Sequence, residues 1–148
     1  MTEGPSRRVV GLCVGGAVLA LGVVAAAAIQ TAPVRGSVRA YTELIAAANR
    51  QDVGAASGLC SSRYLATHDL RPADEGGVVG LPRNIHKNFT AWRDGGNVLL
   101  CPTNRVGPVY QFVPTPEGWR FDGPVGLVRG RGEFVRMSDM TDGEADVR

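Results

Sequence analysis

Removing a proton beside a carbonyl takes a carboxylate base in apolar surroundings and a hydrogen-bond donor aimed at the developing oxyanion. The residues of suitable type are Asp52 and Asp122 as bases and Tyr41 and Tyr64 as donors. Three of these have a structural reading that is preferred. Asp52 stands directly before Val53-Gly54-Ala55-Ala56, where an aspartate caps a helix. Asp122 alternates with Trp119 and Phe121, which places it on the other face of a strand, where an arginine or solvent takes the carboxylate. Tyr41 falls on the apolar side of a helix. His68 and His86 are the two histidines, and neither has a Ser, Cys or acid at a spacing that suggests a triad. There is no Cys-x-x-Cys pair, phosphate loop, dinucleotide fingerprint or metal loop, so no metal and no cofactor are expected.

The elements that position these residues change character midway. Ser37 is read as the cap of a helix running to Arg50, with Val38, Tyr41, Ile45 and Ala48 on one face. Asp52 opens a short second helix through Val53, Ala56 and Cys60, and Ser61 a third carrying Tyr64 and Leu65. Asp69 to Arg83, with two Pro and three Gly, reads as a loop with a short strand at Val78-Val79. Asn84 to Trp92 reads as a further helical stretch, with Ile85, Phe89 and Trp92 on one side. Strands follow. Asn97 to Cys101 is one, and Pro108 to Val113 and Trp119 to Asp122 form a hairpin about Thr115-Pro116-Glu117-Gly118, which has type I turn chemistry. Val125 to Val128 and Glu133 to Arg136 add two more around the tight turn Arg129-Gly130-Arg131-Gly132. Arg83 to Arg93 interleaves basic and aromatic residues and is read as an amphipathic helix on the sheet. Asn88-Phe89-Thr90 matches a glycosylation acceptor.

Val9 to Ile29 is a run of 21 residues without a charged side chain. As a helix it is about 31 Å long, the thickness of a bilayer's hydrocarbon core. The chain therefore divides into a cytoplasmic leader (1–8), a transmembrane anchor (9–29), a linker (30–36), a domain (37–137) and an acidic tail (138–148). Arg7-Arg8 holds the N-terminus inside, so the domain lies outside the cytoplasm. Cleavage near Ala25 to Ala28, giving a secreted domain, is the alternative. Gly11 and Gly15 form a small-residue pair through which two such helices can pack as a dimer. The net charge of +2 is too small and too dispersed for a nucleic-acid partner. Cys60 and Cys101 fall in the exported part. A disulfide between them closes a loop of about 41 residues, worth roughly 4 kcal/mol, and two buried thiols are the alternative.

Helices first and antiparallel strands after make an α+β domain with helices on one face of a curved sheet. The opening helix Tyr41-Thr42-Glu43-Leu44-Ile45-Ala46-Ala47-Ala48-Asn49-Arg50, then Gln51-Asp52 and Val53-Gly54-Ala55-Ala56, resembles the start of the NTF2-like (SnoaL-like, cystatin-like) superfamily. The stretch from Val109-Tyr110-Gln111-Phe112 to Gly118-Trp119-Arg120-Phe121 resembles its terminal hairpin. The resemblance implies a cone with a pocket between sheet and helices, lined by Tyr41, Tyr64, Phe89, Trp92, Tyr110, Phe112, Trp119 and Phe121. It implies no particular chemistry. The expectation is a membrane-anchored, non-catalytic module binding a protein partner or a small apolar ligand. The alternative is a tethered enzyme of the SnoaL or ketosteroid-isomerase type.

Overall fold

A computed structural model describes residues 31–83, 89–102 and 106–140. Val34 onward forms one compact unit; of the other, Met1–Pro33, residues 31–33 are described and are helical. The first helix, α1, covers 31–49. Its apolar stripe of Tyr41, Leu44, Ile45 and Ala48 is fully buried. It ends where Gln51 turns left-handed (φ +56°), with the Gln51 and Asp52 amides bonded back to the Ala48 and Ala47 carbonyls at 2.9 and 3.0 Å. This is a Schellman-type stop without the usual glycine. The Gln51 side chain is held in turn by its amide donating to the Ala73 carbonyl at 2.7 Å.

Two short helices come next, α2 (Val53–Gly58) and α3 (Ser62–Thr67), capped as expected by Asp52, which accepts from the Ala55 amide, and by Ser61, which accepts from the Tyr64 amide. Five antiparallel strands then run in simple order: β1 (Thr90–Asp94), β2 (Asn97–Cys101), β3 (Gly107–Thr115), β4 (Gly118–Val128) and β5 (Phe134–Arg136). The β3–β4 hairpin turns at Pro116-Glu117, and Phe112 pairs with Phe121 across it. The fold class is α+β.

The sheet is buried on both faces, and alternation sorts its side chains. Val98, Leu100, Tyr110, Phe112 and Phe121 face the helices and form the main core with Tyr41, Leu44, Ile45 and Tyr64. Leu99, Cys101, Val109 and Val128 face the other way and form a second cluster with Trp92 and Phe134. On that second face the sheet curls far enough for its two outer strands to touch. Trp92 of β1 meets Phe134 of β5 edge-on, with ring centroids 5.5 Å apart, and Arg136 pairs with Asp94.

Several expectations change. Ser37 is no cap: it lies inside α1, fully buried, its hydroxyl donating to the Val34 carbonyl at 2.9 Å. The helical backbone also includes 31–36, where a linker is expected. Trp92 is in a strand, not a helix, because Gly95-Gly96 forms a two-residue turn that pairs Asp94 with Asn97. The expected strand at Val78-Val79 is a single bridge from Val78 to Pro72. Gly123-Pro124 does not separate two strands. It lies within β4, which carries register irregularities there. Of the tail, Met137–Asp139 is a 3-10 turn, and 141–148 fall outside the described residues. So do the apolar run Val9–Ile29 with Gly11 and Gly15, and also His86 and Asn88. No helix among the described residues is long and apolar enough to cross a membrane.

The disulfide is also corrected. Cys60 belongs to the helix-side core and Cys101 to the cluster on the opposite face of the sheet. Both are buried thiols. Cys60 donates to the Ala56 carbonyl at 3.4 Å, and burial pushes its thiol up to about 12. Unfolding the chain without reductant is therefore expected to expose three titratable thiols, Cys13 included, and reductant should leave the melting temperature unchanged. One thiol only, or a melting temperature lowered by reductant, contradicts this arrangement.

Candidate functional site

The expected pocket between sheet and helices is filled by the residues expected to line it. Tyr41, Phe112 and Phe121 are each at most 2% exposed. The Tyr41 ring lies 6.1 Å from Tyr110 and 6.3 Å from Phe112, and Phe121 lies 4.9 Å from Tyr64 and 5.8 Å from Phe112. Trp119 seals one end, lying on α1 where Gly36 leaves room; a Cβ there would stand 2.5 Å from the indole. Trp92 is on the far face, and Phe89 is 37% exposed. Burial drives the Tyr41 phenol upward, with the neighbouring Tyr110 adding to the shift. Tyr41 is thus core rather than an oxyanion donor.

Of the four acid–base candidates, two come together. Asp52 stays exposed as the cap of α2. Asp122 and Tyr64 meet where α3 packs on β4. The chain Leu59–Ser61 runs alongside β4, with the Phe121 amide donating to the Leu59 carbonyl and the Ser61 amide donating to the Phe121 carbonyl, both at 2.8 Å. The next residue, Asp122, turns to the other side of the strand. Gly123 after it has φ +103°, and a Cβ there would lie 3.0 Å from the Tyr64 ring. Glycine lets the strand kink against the tyrosine.

The Asp122 side chain is 4% exposed and accepts four hydrogen bonds. Ser61 Oγ donates to Oδ1, and Arg63 Nε to Oδ1 at 3.1 Å. Arg63 Nη2 donates to Oδ2 and to the Asp122 carbonyl, the latter at 3.1 Å. Gln111 Nε2 donates to Oδ2 at 3.0 Å. Burial alone would raise the carboxyl pKa, but the bonds from Arg63 and then Ser61, with the Arg63 charge and Gln111 adding to them, hold it below the ordinary value. Ser61 is doubly used, because the same oxygen caps α3.

Beside this cluster lies an open cleft of about 330 Å³. Arg63 and Asp122 line one part, the Tyr64–His68 ring stack with Thr67 another, and Gly123, Pro124 and Met137 the rest. The His68 ring lies 4.1 Å from Tyr64 and nearly parallel to it. Its Nδ1 is 3.2 Å from the Tyr64 carbonyl and 2.9 Å from Thr67 Oγ1. The Tyr64 hydroxyl is spent on the Gly80 carbonyl, and burial pushes the phenol up to about 12. Among the described residues no group of three potential ligands stands close enough to hold a metal. Sequence reading misses Arg63, which is 59 positions from its partner, and no local signal marks it.

Asp122→Asn is expected to cost about 1–3 kcal/mol at neutral pH in urea unfolding. A carboxyl held below its unfolded value contributes fully above about pH 4 and loses that contribution as pH falls through the folded value. The gap between the native chain and the variant should therefore close under acid. A cost below about 0.5 kcal/mol, or a gap that widens under acid, contradicts the assignment.

Compared with family models, curated proteins and solved structures, the chain matches none.

Proposed function

We propose that the chain is a single-pass membrane protein whose NTF2-like domain lies outside the cytoplasm and works as a non-catalytic binding module. The apolar run Val9 to Ile29 behind Arg7-Arg8 supports the anchor and its orientation. One observation carries the non-catalytic part. The only buried carboxylate among the described residues, Asp122, is saturated by four donors and paired with Arg63. A base must be able to take a proton near neutral pH. Asp122 is arranged to stay charged, and the nearby tyrosine hydroxyl is bonded to a backbone carbonyl. Those two features oppose the SnoaL or ketosteroid-isomerase alternative. The cleft beside them, with mixed polar and apolar lining, is the surface on which binding is proposed.

Two measurements test this reading. Carboxyl-carbon NMR of Asp122 is expected to give a titration midpoint below about 4; a midpoint near 6 or above restores the enzyme reading. The full chain is expected to stay in the membrane pellet after alkaline carbonate extraction, with its C-terminus digestible from outside intact spheroplasts. A soluble product beginning near Ala28 or Thr31 replaces the anchor with secretion.

A further inference from the structure

The cleft beside α3 is asymmetric in what it offers a ligand. Asp122 and Arg63 form one ion pair, but the Asp122 side chain is 4% exposed and the Arg63 side chain 68%. The anion's lone pairs are all taken, by Ser61, Arg63 and Gln111. The cation's Nε and Nη2 are engaged, which fixes the plane of the guanidinium, and no described residue bonds to Nη1. The pair therefore leaves its positive half exposed, with the Nη1 N–H donors unspent, on a side chain that lines the cleft. A pre-oriented guanidinium suits a carboxylate, because little side-chain freedom is lost on binding.

The rest of the cleft is mixed, with Thr67 and the His68 ring polar and Pro124 and Met137 apolar. Met137 is 50% exposed, Pro124 is exposed, and the His68 ring lies flat on Tyr64. At about 330 Å³ the space is at the small end of ligand sites. We propose that this cleft binds a small organic carboxylate with a flat apolar body, its carboxylate on the outer N–H groups of Arg63 and its body against Met137, Pro124 and the His68–Tyr64 stack. The proposal rests on the binding-module reading and names the ligand class for it.

The test uses the full chain in non-ionic micelles, with methyl-labelled methionine and the free probe concentration fixed by dialysis. Three probes share one ring: benzoate, benzyl alcohol and benzylamine. Benzoate is expected to shift the Met137 methyl and His68 ring signals along one saturating curve, at least tenfold tighter than benzyl alcohol, with benzylamine weakest. Arg63→Lys keeps the charge but loses the planar group that can hold Asp122 with Nε and Nη2 and still offer Nη1, and should shrink the benzoate preference severalfold. Met137→Ala alters an exposed side chain that takes no part in the ion pair. It should weaken benzoate and benzyl alcohol by the same factor, and it serves as the test if Arg63→Lys does not fold. Equal affinity for benzoate and benzyl alcohol overturns the anion assignment and leaves a binding cleft. The same holds if benzoate binds with Met137 and His68 unmoved. Silence from all three probes removes the cleft as a ligand site, and with it the small-ligand form of the module.

Discussion

Phe121 is held by its backbone on one side and its ring on the other. Its amide and carbonyl are bonded to Leu59 and Ser61, so the link between α2 and α3 is zipped to the edge of β4. Its ring is surrounded by Tyr64, Tyr110 and Phe112, which come from α3 and β3. Helices and sheet therefore meet through one residue that satisfies hydrogen bonds and fills volume at the same time. Buried backbone groups must be paired and interiors are close-packed, so neither task can be displaced without disturbing the other.

The next two residues of β4 depend on that register. With Phe121 turned inward, Asp122 must turn outward, and it arrives beside the cap of α3 and the Arg63 side chain. Ser61 thus serves a helix terminus and a carboxylate with one oxygen, and Arg63 covers the carboxylate from solvent. Gly123 then lets the strand bend under Tyr64. The aromatic filling that closes the interior is the same filling that leaves the concave surface outside, against α3. A shape suggestive of an internal pocket ends as a solid core with a shallow external cleft.

Features of short range are legible in the sequence. Asp52 and Ser61 cap because a polar side chain bonds an amide three residues on, and the hairpin about Pro116-Glu117 follows from turn chemistry and alternation. The strand at β2 is equally plain, but which of its faces carries the helices is not, and that decides whether Cys60 and Cys101 can meet. Trp92 reads as helical because apolar residues spaced three and four apart outweigh the Gly95-Gly96 turn directly after the strand. β4 reads as two strands because Gly-Pro usually ends one, whereas here it sits within an irregular one. The Arg63–Asp122 pair, 59 residues apart, and the Arg136–Asp94 pair, 42 apart, are products of the assembled fold. No short window along the chain contains either.

The touching of β1 and β5 has a bearing on how this domain behaves among copies of itself. A sheet in simple order ends in two strands with unpaired backbone groups, which are templates for another chain. Here those strands are five and three residues long, and they carry the Arg136–Asp94 charges at the point where they meet. The aromatic rings that would make an edge adhesive, Trp92 and Phe134, are turned toward each other inside the curl. The curvature therefore acts as a safeguard against strand-to-strand aggregation.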